Sequence, residues 1–192
     1  MSQTKSKLIQ AASDLFYQHG FQAVGLDQIL DDVGITKTAF YKHFESKDEL
    51  IIAVLNQRDQ TEVLESTQQM HALAGDDPRL AILVFFDLLE KWFASPDFRG
   101  CLFMNAATEF PSPNDPIHQA AAAHGKRMST EFRLLAVRAG APDPDLVTDQ
   151  IMLLVRGAIA ARHTQGSMNS AATAKLAATL LLERHLSPVS TG

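Results

Sequence analysis

The sequence predicts an all-α fold, a small N-terminal three-helix unit followed by a larger helical region, and three features carry that expectation. Asp-Pro steps fall at Asp77-Pro78, Asp115-Pro116 and Asp143-Pro144, each directly before a long helix-compatible segment. Aspartate accepts hydrogen bonds from the free N–H groups of a first helical turn, and proline loses nothing there by lacking its own. Glycines at 20, 34, 75, 140 and 166 stand where such segments must stop. No stretch alternates Val, Ile or Thr with polar residues as a paired strand does. A chain of 192 residues with 46% hydrophobic content buries a sizeable core as one or two domains and is not a disordered polypeptide.

Helices are expected over residues 4–19, 26–33, 37–43, 47–73, 78–94, 101–110, 115–139, 144–164 and 169–186. The first carries Leu8, Ala11, Ala12, Leu15 and Phe16 at helical spacing, a stripe that needs partners. Leu26, Ile29, Leu30 and Val33 on the second supply them. Gly34-Ile35-Thr36 then turns the chain, and Phe40 and Phe44, four apart, complete a miniature core. Ser46-Lys47-Asp48-Glu49 fits a capping box ahead of the apolar run Leu50 to Val54. A long helix therefore begins at Lys47 and leads, with no low-complexity linker, from a first domain (1–46) into a second (47–192). Leu80 to Phe86 is apolar, but Asp87, Glu90 and Lys91 follow at once, so it is too short to span a bilayer. Only Ser187 to Gly192 read as a frayed end.

With Phe40 and Phe44 turned inward, Lys37, Thr38, Tyr41 and Lys42 are displaced around the cylinder toward solvent. A short helix after a tight turn, with exposed cations interleaved with aromatics, reads as a DNA-recognition helix. Thr36 is placed to cap it and opens a helix N-terminus whose N–H groups favour phosphate. Lys47, on the first turn of the next helix, is placed to meet the same backbone. Phosphate contacts give affinity and register, whereas base edges give sequence, and Lys37, Thr38 and Ala39 lie deepest. The net charge of −5 argues against a general polyanion-coating protein. Even the first fifty residues set Lys5, Lys7, Lys37, Lys42 and Lys47 against Asp14, Asp27, Asp31, Asp32, Glu45, Asp48 and Glu49. Affinity must come from a few placed cations, helix N-termini and doubling by symmetry.

On these residues the first fifty or so positions resemble the DNA-binding domain of the TetR family of bacterial transcriptional regulators. The resemblance rests on Gly20-Phe21, on Ile29, on Val33-Gly34-Ile35-Thr36-Lys37, on Phe40-Tyr41-Lys42-His43-Phe44 and on Ser46-Lys47. It implies that Tyr41, His43 and Lys47 contact phosphates and that Thr36 to Ala39 lie at or near the groove. Two positions depart from the family pattern. Val24-Gly25 stands where a Thr or Ser often opens the second helix, which removes a hydroxyl from that end, and Leu30 replaces a common alanine.

The same resemblance implies a homodimer in which the last two long helices form a four-helix bundle with their copies. Leu146, Val147, Ile151, Leu154, Val155 and Ala158 on one helix, and Ala174, Ala177, Leu180 and Leu181 on the next, suit such an interface, with an intrachain core as the alternative. Dimerisation also has an independent motive, since one short helix reads few base pairs and two address a palindromic operator in double-stranded DNA. The stretch from Arg99 to Pro111 resembles a segment that lies beside the ligand cavity in one subset of the family. With Phe85, Phe86, Leu89 and Trp92 before it and Met128 and Phe132 beyond, it implies a mainly apolar effector pocket, to which Met104, Asn105, Thr108 and Glu109 belong. Asn105 and Glu109, at i and i+4, are the expected polar contacts.

No cofactor and no metal site are expected, because His118 and His124, six apart, do not share a helix face. No nucleophile, phosphate-loop or paired-carboxylate pattern points to an enzyme. Cys101 is the only cysteine, which excludes an intrachain disulfide and reads as a small core residue. With no signal peptide or membrane span in view, the expected location is cytoplasmic. The expected function is a ligand-responsive transcriptional regulator, a repressor rather than an activator. A DNA-binding architectural dimer without a small-molecule sensor is the alternative.

Overall fold

The computed structural model describes residues 2–186, so the expectation for Ser187 to Gly192 lies outside the described residues. The described residues form α1 (Gln3–His19), α2 (Leu26–Val33), α3 (Lys37–Phe40), α4 (Lys47–Ala74), α5 (Pro78–Phe93), α6 (Leu102–Glu109), α7 (Pro116–Arg138), α8 (Pro144–Gln165) and α9 (Ser170–His185). The Asp-Pro steps do what their chemistry predicts. Asp77 accepts from the N–H groups of Arg79 and Leu80, Asp115 from that of Ile117, and Asp143 from that of Leu146. Gly34 ends α2 at φ 73°, a conformation in which a Cβ is strained, and its N–H bonds the carbonyls of Leu30 and Asp31. No helix among the described residues is long and apolar enough to cross a membrane.

The chain divides into two compact units. One comprises the chain up to Thr61 together with Cys101–His124; the other comprises Glu62–Gly100 and the chain from Gly125 onward. Helices α4 and α7 each contribute residues to both units.

The first unit is organised around Leu8, Ala12 and Phe16 of α1, Ile29 and Leu30 of α2, Phe40 and Phe44, and Leu50, Ile51 and Val54 of α4. Phe16, Phe21, Phe40 and Phe44 are at most 2% exposed, and full burial of such a side chain is worth about 1.5–3 kcal/mol. The same core takes in Leu102, Phe103 and Ala106 of α6 and Ile117 and Ala121 of α7. The three-helix motif is thus completed by residues some sixty positions downstream, which sequence periodicity did not indicate.

In the second unit α9 packs on both α8 and α5. Val147, Ile151, Val155, Ala158 and Ala174, expected on a face toward another copy, are buried within the chain. The physical reason is that each helix carries leucines on its exposed side as well as apolar residues on its buried one, so a stripe at helical spacing does not say which side meets the chain's own core. The side left to solvent carries Leu146 and Leu153 on α8 and Leu176 and Leu180 on α9, at 43, 66, 71 and 68% exposure. Arg162 donates from Nε and Nη2 to the Phe93 carbonyl, both at 3.1 Å, with its guanidinium 4.8 Å from the Phe98 ring centre. Lys175 meets both oxygens of Asp87 at 2.6 and 2.7 Å.

Candidate nucleic-acid interface

The helix-turn-helix is set up by local bonds that the sequence specifies. Thr36 Oγ1 accepts from the Ala39 N–H at 3.2 Å, capping α3 as its position predicts. At the next helix Ser46 Oγ accepts from the Glu49 N–H at 3.1 Å, and Glu49 reaches back to the N–H of Glu45 at 2.6 Å, one residue earlier than in the standard reciprocal box. Gly25 opens α2 with no side-chain cap, consistent with the hydroxyl missing from that position.

α3 is shorter than the expected 37–43. It is regular only over Lys37–Phe40, and Tyr41 to His43 continue as a turn in which the His43 and Phe44 N–H groups both bond the Phe40 carbonyl. Phe44 is buried against Phe40, with ring centres 5.7 Å apart. A helix this short sums few peptide dipoles, so its N-terminus contributes less to anion binding than a longer one would.

Around this turn Thr36, Lys37, Thr38, Tyr41 and Lys42 are exposed, while Ala39, His43 and Lys47 are half-buried. Tyr41, 57% exposed, leans edge-on against the fully buried Phe40 at 5.3 Å. An aromatic ring anchored on the core with its hydroxyl in water is a rigid donor for phosphate. Lys37 Nζ lies 2.8 Å from Asp27 Oδ1, and that hydrogen bond, then the charge, holds the ammonium above the usual lysine range. Both partners are exposed, so the pair is weak and nucleic acid can displace Asp27. Lys47 differs. Its ammonium lies 5.8 Å from the Phe16 ring centre, and burial pushes its pKa below the usual lysine range, with Asp48 and Glu109 opposing.

The expected effector residues divide between the units. Phe85, Phe86, Leu89, Met128 and Phe132 are buried and Trp92 half-buried in the second unit, with Phe85 edge-on to Phe132 at 5.1 Å. Met104, Asn105, Thr108 and Glu109 belong to the first unit. There Thr108 bonds the Met104 carbonyl of its own helix. Glu109, the last residue of α6, accepts from the N–H groups of Phe21 and Gln22 through its two carboxylate oxygens.

His118 donates from Nδ1 to the Phe110 carbonyl and His124 from Nδ1 to Asp59, with the His124 ring stacked 3.8 Å over Phe103. The second unit also holds a cleft of about 190 Å³ lined by Thr67, Met70, His71, Ala81, Glu131, Leu134, Leu135 and Arg138, none of them among the expected effector residues. Its lining comes from three helices, and no local sequence signal marks it.

Residues 8–54, from α1 into α4, match the family described as "Bacterial regulatory proteins, tetR family". The fold of the chain extends that match. A Streptomyces avermitilis structure assigned to the TetR transcriptional regulators superposes with a TM-score of 0.86 and 30% identity, covering 96% of this chain and 98% of that one. The chain belongs to the TetR family. A second TetR-family transcriptional regulator, from Streptomyces coelicolor, superposes with a TM-score of 0.86 at 26% identity over 95% of each chain. Among sequence relatives, the HTH-type transcriptional activator FasR of Mycolicibacterium smegmatis is 36% identical over 88 residues, 45% of this chain and 40% of FasR. The chain thus matches less than half of FasR's length. As a TetR-family protein it is a transcriptional regulator with a DNA-binding helix-turn-helix, and the exposed side of Thr36 to Lys42 is the surface of that motif not used by its own core.

Proposed function

We propose that the chain is a homodimeric repressor that binds a palindromic operator in double-stranded DNA and is released by a small, largely apolar effector. The observation that carries the reading is the two-sided turn at α3, with Phe40 and Phe44 fully in the core and Lys37, Thr38, Tyr41 and Lys42 in solvent. Lys37, Thr38 and Ala39 take the base edges, while Thr36, Tyr41, Lys42, His43 and Lys47 take phosphates. The second copy docks on the leucine face of α8 and α9. Repression requires only that the operator be occupied, whereas an activator, as FasR is named, requires a further contact. The effector side is assigned to the second unit, through Phe85, Phe86, Leu89, Trp92, Met128 and Phe132. A ligand present at about a hundredfold its Kd adds roughly 2.7 kcal/mol of native stability, which a thermal-shift screen of small apolar and aromatic compounds detects.

Selection from random DNA duplexes tests the reading. The expected result is enrichment of two inverted half-sites separated by about one helical turn or more. Failure to enrich any sequence overturns it. Enrichment without any stabilising or releasing compound supports the DNA-binding dimer that has no sensor.

A further inference from the structure

Two successive main-chain N–H groups at the start of the α1–α2 connection point at one carboxylate. Phe21 donates to Glu109 Oε1 at 3.0 Å and Gln22 donates to Oε2 at 2.8 Å. The Gln22 side chain closes the arrangement by donating from Nε2 to the Glu109 carbonyl at 2.8 Å. Hydrogen bonds to a charged acceptor are shorter and about twice as strong as neutral ones; two of these three go to the carboxylate and one to a main-chain carbonyl, and all join residues 87 or 88 positions apart in sequence. The turn is fitted to its partner. Gly20 sits at φ 88°, and a Cβ there would lie 3.1 Å from Glu109 Oε1. Phe21, fully buried, stacks on Phe16 of α1 at 5.1 Å and meets Phe110 edge-on at 6.3 Å.

What this fixes is the angle at which the chain leaves α1. Four residues after Gln22, α2 begins, and α2 packs on α1 and α3. Gly25, at the α2 N-terminus, makes no side-chain cap of its own. No capping side chain orients this connection; the buried Phe21 and Val24 anchor it, and the Glu109 carboxylate bonds its main-chain N–H groups. We infer that Glu109 is a positioning residue for DNA reading, holding the α1–α2 turn so that α3 and the turn after it present Lys37 to Lys42 at the angle the major groove requires.

The inference rests on the DNA-reading role proposed above and is tested with the full-length chain on the duplex selected by the wild type. Glu109→Gln keeps the size of the side chain and one acceptor, but turns its NH2 toward a backbone N–H, setting donor against donor. The quantity to measure is the ratio of affinity for the selected duplex to affinity for a scrambled duplex of equal length. Phosphate attraction is largely indifferent to the angle of α3, whereas base readout is not. Glu109→Gln is therefore expected to lower that ratio about tenfold or more, the size of a lost charged hydrogen bond. Partial unfolding alone would lower both affinities together and leave the ratio unchanged, which would overturn the inference. Amide exchange of the wild-type chain gives a second check that needs no variant. Slowed exchange at both Phe21 and Gln22 is expected, and exchange at unprotected rates overturns the latch. If the wild type selects no duplex, the DNA-reading role itself fails; if it does and the ratio survives the substitution, only the role of Glu109 fails.

Discussion

For the homodimer proposed above, the double substitution Leu176→Glu, Leu180→Glu is expected to leave the chain monomeric and to lower operator affinity by about 10²–10⁴-fold, the range lost when two linked binding events become separate. Leu176 and Leu180 lie one turn apart on α9 at 71 and 68% exposure, with Leu146 and Leu153 of α8 also open to solvent. Burying each such leucine against another copy is worth about 1.5–3 kcal/mol, and two-fold symmetry counts every contact twice. Glutamates at both positions replace that gain with four carboxylates near the axis. Because neither leucine contributes to the chain's own core, thermal stability of the monomer should change little. Sedimentation and operator binding report the outcome. A variant that stays dimeric places the interface elsewhere.

Phe40→Ala is expected to destabilise the first unit by about 3–5 kcal/mol, the usual cost of truncating a buried phenylalanine. That is a large share of the roughly 5–15 kcal/mol by which a folded domain is stable. Phe40 has no exposed surface, stacks on Phe44 and supports the Tyr41 ring. DNA binding should fall with it. Thr38→Ala, two residues away on the exposed side of the same turn, should change stability by no more than about 0.5 kcal/mol. Chemical denaturation of the two variants separates the face that holds the motif from the face that reads.

Most of the fold was legible because helix ends are local chemistry. Aspartate before proline, Thr36 before α3 and Ser46 before α4 fix their boundaries through bonds spanning two or three residues, and those bonds are present. The exposed set on α3 was legible for a related reason, since burying Phe40 and Phe44 dictates what faces outward. The length of α3 was not, since no breaker residue stands after Phe40 to mark where the regular helix gives way to a turn. Nor was the membership of the first unit. The contributions of Leu102, Phe103 and Ala106 to its core, and of Glu109 to its turn, depend on contacts between segments far apart in sequence. On α8 and α9 periodicity identified apolar helices but not which apolar side turns inward.

The most direct measurement of the central claim is the affinity of Lys37→Ala, Tyr41→Ala for the selected duplex, beside a thermal melt of the same protein. Both side chains are exposed, so the melt should match the wild type. Loss of one base-edge contact and one phosphate contact should weaken binding by at least about tenfold and relax sequence preference at the position Lys37 reads. Unchanged affinity together with unchanged sequence preference would contradict the assignment of α3 as the DNA reader.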